Sequence, residues 1–156
     1  MALLRRLTLT RQSMICKSLM SVTEITEQII RNLKLDKGRL SEELLADYVR
    51  DYHLSGIIVL DPKGSLICEY NNDRYGFAAL RYELLKPSVM DVTIYPEKIF
   101  SDHLQLNDGS HIDFSVTSRE DAPGVVVCYY HTTAEYAASY NMSLYTLLSG
   151  YSMPTA

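Results

Sequence analysis

Arg119 closes the stretch HIDFSVTSR, in which Ile112, Phe114 and Val116 alternate with Asp113, Ser115 and Thr117. A period of two places Arg119 on the polar register of a strand, at its end. A guanidinium there can hold a carboxylate by two parallel hydrogen bonds, which makes Arg119 a candidate anion-binding residue. An ion pair with Glu120 or Asp121 is the structural alternative. The second unusual feature is tyrosine: twelve, against three phenylalanines and no tryptophan. Tyrosine rings can enclose a small polar molecule while their hydroxyls orient it. Tyr75, Tyr82, Tyr95, Tyr129 and Tyr130 fall near an irregular segment and the central strands, and are candidate ligand-binding residues. Tyr48, Tyr52, Tyr136 and Tyr140 recur at helical spacing and read as packing.

Other chemistries find less support. Among the four histidines, His111 and His131 fall on candidate neighbouring strands and are the pair that could share a metal ion. Surface or core-edge histidines explain them as well, so no metal site is assigned. Asp113 with Glu120 and Asp121 could serve acid–base work, but Glu120 and Asp121 lie in EDAPG, where turn chemistry favours such residues. There is no Gly-rich phosphate loop, no Gly-x-Ser-x-Gly elbow and no zinc-spaced His/Cys set. The reading is a binding module, not an enzyme, with no catalytic residue and no cofactor. Cys16, Cys68 and Cys128 are too few for a disulfide scaffold and read as free thiols, the last two buried in strands. A net charge of -4 gives no support to nucleic-acid binding. No run of 18 apolar residues occurs, and the basic opening MALLRRLTLTRQSMICKSLM lacks the apolar core of a signal peptide.

The elements that must position these groups follow from periodicity. The 156 residues, 47% hydrophobic, suffice for one domain with a sizeable core. Residues 3–35 hold neither Pro nor Gly, and Ile15, Leu19, Val22, Ile25, Ile29 and Leu33 line one face of a long helix, with Gly38 as its stop. That stripe exceeds what a small sheet should cover, so a homodimer through the helix is expected. SEELLADYVRDYHL starts a second helix at Ser41. GIIVL, DPKG and LICEY make a hairpin. Tyr75–Lys86 suits a helix stopped by Pro87, and Ser88–Phe100 reads as a loop with short pieces of structure. SDHLQL, HIDFSVTSR and GVVVCYYHT are three strands joined by the turns NDGS and EDAPG, and a last helix follows. The class is α+β: a five-stranded antiparallel sheet with a long amino-terminal helix and flanking helices.

This order, with Asp61 and Gly64 turning the hairpin Gly56–Tyr70 and with DGSHIDFSVTSREDAPGVVVCYY closing the sheet, resembles the Cache family of PAS-like sensor domains over about 3–151. The resemblance implies an extracytoplasmic ligand-sensing module of a bacterial transmembrane signalling protein, of histidine kinase or diguanylate cyclase type. It implies a small polar or anionic ligand, a membrane anchor outside this chain, and an excised piece of a larger protein. The Arg, Tyr and Asp signature of the amino-acid-binding subclass has no match here. The alternative is a cytoplasmic PAS-like or roadblock-like dimerisation module without a small ligand. A ligand site is expected between the polar face of His111–Arg119, the strand Val125–His131 and the crossing segment Tyr75–Phe100.

Overall fold

A computed structural model describes residues 2–36 and 39–138, with side chains from Gln12 onward. Helix α1 (Ala2–Leu35) and helix α2 (Glu42–Tyr52) precede strands β1 (Gly56–Leu60) and β2 (Leu66–Asn71). Helices α3 (Arg74–Glu83) and α4 (Pro87–Ile94) cross to strands β3 (Ile99–Gln105), β4 (His111–Ser118) and β5 (Val125–Thr132). The expected helix stop at Gly38, Tyr140 and the body of the last helix lie outside the described residues.

Local chemistry explains most boundaries. Leu44 donates its backbone N–H to the Ser41 hydroxyl, which caps α2. The Asp61 carboxylate accepts from the N–H groups of Lys63 and Ser65, and Gly64 takes φ +86, so DPKG turns the chain. The register then slips by one residue, since Val59 faces Cys68 while Leu60 faces Leu66. The segment expected as a loop over Ser88–Phe100 holds α4 and the start of β3. Pro87 does not only stop α3; it occupies the first turn of α4, where its missing N–H is no loss.

The sheet is antiparallel throughout, in the order β2-β1-β5-β4-β3. It has one helix layer on each face. Ile57, Val59, Val126 and Cys128 pack with Val22, Ile29 and Leu33 of α1 and with Leu45 and Val49 of α2. On the opposite face Ile58, Ile112, Phe114, Val116 and Val127 pack with Leu80 of α3, Leu84 just after it, and Val89 and Val92 of α4. The apolar stripe of α1 is therefore used on the sheet: Val22, Ile29 and Leu33 are fully buried. Ile15, Leu19 and Ile25 of the same stripe are half-buried, so the sheet covers part of the apolar face on which a helix-mediated dimer was expected.

The alternation in β4 has an unexpected consequence. Its polar residues do not face water; Asp113, Ser115 and Thr117 are buried beneath α1. Hydroxyl bonds make this tolerable at Asp113 and Ser115, while the buried Thr117 hydroxyl has no hydrogen-bond partner among the described residues. Thr23 of α1 bonds Ser101 at 2.6 Å, and Ser101 donates to Ser115 at 3.0 Å. Ser18 of α1 donates to Asp113 at 3.0 Å, and Lys34 pairs with Glu120 just past β4. Ser18 to Lys34 rises roughly 24 Å and Asp113 to Glu120 about 23 Å, so α1 runs alongside β4 in the same direction. Since β4 begins only two residues before Asp113, most of the first half of α1 runs past the end of the sheet.

Candidate functional site

The site lies where α1 leaves the sheet. In the β3–β4 hairpin the register sets His103 opposite Asp113 and Gln105 opposite His111. His111 and Asp113 are two apart on one strand and share its face; His103 joins them from across the ladder. Their imidazole rings stand 4.7 Å apart, centre to centre. His103 Nδ1 bonds Asp113 Oδ1 at 2.6 Å, and His111 Nε2 lies 3.9 Å from Oδ2. The Ser18 hydroxyl donates to that same Oδ2. The Asp113 side chain is 4% exposed, yet the two histidines open onto a cleft of about 460 Å³. Met14, Ile15 and Ser18 of α1 form one wall, Gly109 and Gln105 the hairpin end, and Tyr136 and Ala137 of the following helical turn the other. Burial holds the His111 imidazole below its usual pKa, with the Asp113 carboxylate pulling the other way.

The expected site residues are placed otherwise. Helices α3 and α4 of the crossing segment lie on the side of the sheet opposite the polar face of β4, and the two meet at the end of the segment, where Pro96, Glu97 and Ile99 line a hollow with Thr117 and Arg119. Arg119 Nε and Nη2 donate to Asp121 at 3.0 and 2.8 Å, a two-point pair that already occupies the guanidinium. Arg119 borders a hollow with Arg31 and Pro96, but Glu27, Glu97 and Glu120 line it too, which disfavours an anion. Tyr75 is exposed and packs its ring against His131. Tyr82 is 77% exposed, and Tyr95 carries Lys98 over its ring. Tyr129 is buried in the α3–α4 core, while Tyr130 points to the α1 face and bonds Ser21. Asp113, Glu120 and Asp121 part to three different partners.

His111 and His131 do not meet either. His111 pairs in register with Thr132, which leaves His131 on the opposite face. There His131 takes the carboxylate of Asp73 at Nδ1 and the hydroxyl of Ser110 at Nε2, 2.9 Å away. Asp–His–Ser is the order of a hydrolytic triad. Ser110, however, is fully buried and its hydroxyl donates to Asp108 at 2.5 Å. A nucleophile must reach substrate, and this one ties the β3–β4 turn to the start of α3. The three cysteines are free: Cys16 is exposed, Cys68 half-buried and Cys128 buried.

Among the described residues no helix is long and apolar enough to cross a membrane. No family model matches the chain, and no curated protein matches it. Among solved structures, one described as MglB with tetrameric arrangement is similar at 9% identity and a TM-score of 0.35, over 69% of this chain and 84% of that one. A likeness that slight has no bearing on function.

Proposed function

We propose that the chain is a ligand-sensing module of a bacterial transmembrane signalling protein, working on the extracytoplasmic face, with its site in the cleft between α1 and the β3–β4 hairpin. The observation that carries this reading is the hydrogen bond from Ser18 to Asp113. It joins the floor of the cleft to a helix that continues past the sheet. An occupant that draws on Asp113 or pushes on Met14 and Ile15 acts directly on that helix. A helix is stiff over this length, so a small displacement at Ser18 is delivered at its far end. The bonded polar seam of Thr23, Ser101 and Ser115 offers discrete alternative pairings along which α1 can shift. The occupant is a small polar or anionic molecule, because imidazoles and hydroxyls meet apolar helix side chains there.

A thermal-shift screen of small metabolites, run beside hydrogen exchange of α1, tests the reading. A stabiliser that also alters exchange at residues 12–18, and that Ala137→Trp abolishes by filling the cleft, is the expected result. A stabiliser untouched by that substitution, or none from a broad screen, overturns it.

A further inference from the structure

We infer that His103, His111 and Asp113 form a binding site for one borderline divalent transition-metal ion of the zinc class. This rests on the sensing reading for its location but stands on its own geometry. One ligand atom from each residue lies within 4.8 Å of the other two. Two donors bound to one ion at about 2.1 Å and a tetrahedral angle sit roughly 3.4 Å apart. The His103–Asp113 separation of 2.6 Å is below that value and the His111–Asp113 separation of 3.9 Å above it. The larger one is too long for a hydrogen bond and is spanned naturally by an ion. With no separation among the three donors above 4.8 Å, side-chain adjustments of about 1–1.5 Å bring them to bonding distance. The ion takes the place of the hydrogen between His103 and Asp113.

Two imidazoles and one carboxylate select zinc, cobalt, nickel or iron(II) over magnesium and calcium, which want oxygen donors. Three protein ligands leave at least one coordination position open, and it faces the cleft. A small anion is a fitting occupant of that position, which gives an acidic chain a way to bind one. Ser18 fixes Asp113 from behind, the kind of support that orients a metal-bound carboxylate. The ion would thus be one hydrogen bond from α1.

The test is calorimetric titration of untagged, chelator-stripped chain with zinc chloride, repeated with cobalt and magnesium. Binding of one zinc per chain, with no magnesium response, is expected. His111→Gln and His103→Gln should each weaken it by at least tenfold, and Ser18→Ala by about 10–100-fold. His53→Asn, at an exposed left-handed position far from the cleft, should bind like the parent. Circular dichroism confirms that each variant is folded. No zinc binding by folded parent, or equal binding by both histidine variants, overturns the metal site. If the stripped protein instead binds an organic stabiliser in the cleft, the metal falls and the sensing reading stands.

Discussion

Replacing Arg119 by alanine separates a ligand-gripping arginine from a structural one. Its side chain is 7% exposed and that of Asp121 13%, and the pair is joined at two points. Removing the guanidinium leaves a largely buried carboxylate without its main partner. Breaking a buried pair in this one-sided way costs about 3–5 kcal/mol, and this pair, beside a surface turn, should lose roughly 2–4. For a chain of this size that is a fall in Tm of about 4–16 °C. Arg119 holds the Asp121 carboxyl below the usual carboxylate range, with burial opposing. A depressed folded pKa stabilises fully above the unfolded value near pH 4 and loses that contribution as pH falls through the folded value. The gap between parent and Arg119→Ala should therefore be widest near neutrality and narrow in acid. Urea denaturation followed by circular dichroism at pH 7 and pH 3 measures it. Adding Asp121→Asn should cost much less in the variant than in the parent. A change under about 0.5 kcal/mol at pH 7, or a gap that widens in acid, would refute the structural assignment and return Arg119 to the candidate ligand residues.

Three further outcomes follow from packing. Gly56→Ala places a methyl 2.6 Å from the Tyr129 hydroxyl in the middle of the sheet, so a loss of about 1–3 kcal/mol is expected in chemical denaturation. Asp73→Ala removes both the cap on the Gly76 N–H and the Nδ1 partner of buried His131, at about 2 kcal/mol; a Tm within 1 °C of the parent, far inside the shift that figure implies, would show the network idle. With a thiol reagent followed by mass spectrometry, Cys16 should be labelled first. Cys68, whose thiol burial pushes up, should follow slowly, and Cys128, pushed up to about 12 by burial, only on unfolding.

The sheet was legible because its turns are written in residues with few other uses: Asp61 to Gly64, Asp108-Gly109 and Asp121 to Gly124. Helix α4 was not, because a proline reads equally as the end of one helix and the start of the next. Strand β3 was only half legible, since its residues alternate poorly between exposed and covered, as befits an edge. The site was nearly within reach. Counting outward from the NDGS turn pairs His103 with Asp113, and parity then sets His111 on the same face. His131, one strand over, has the opposite parity, because His111 pairs with Thr132. The tyrosines misled for a plain reason: composition says how many there are but not which face each takes. What no pattern in β4 revealed is that its polar face would be covered, since that depends on hydroxyls contributed by α1.

Among the described residues histidine meets aspartate in two sets, and their surroundings decide between scaffold and site. Around His131 both ring nitrogens have partners, Tyr75 packs against the ring, and the hydroxyl beyond is fully buried. Such a cluster is complete in itself and stiffens the turn that precedes β4. Around Asp113 the arrangement is incomplete. One histidine is bonded, the second stands too far to bond, and the space between them opens on a cleft. The turn held rigid by the first set, at Ser110, is adjacent to His111 of the second. The cleft thus has a fixed hairpin end on one side and, on the other, a helix wall that reaches its floor through the Ser18 hydroxyl. On the proposed sensing reading the hairpin is the fixed side of the cleft and α1 the side that responds.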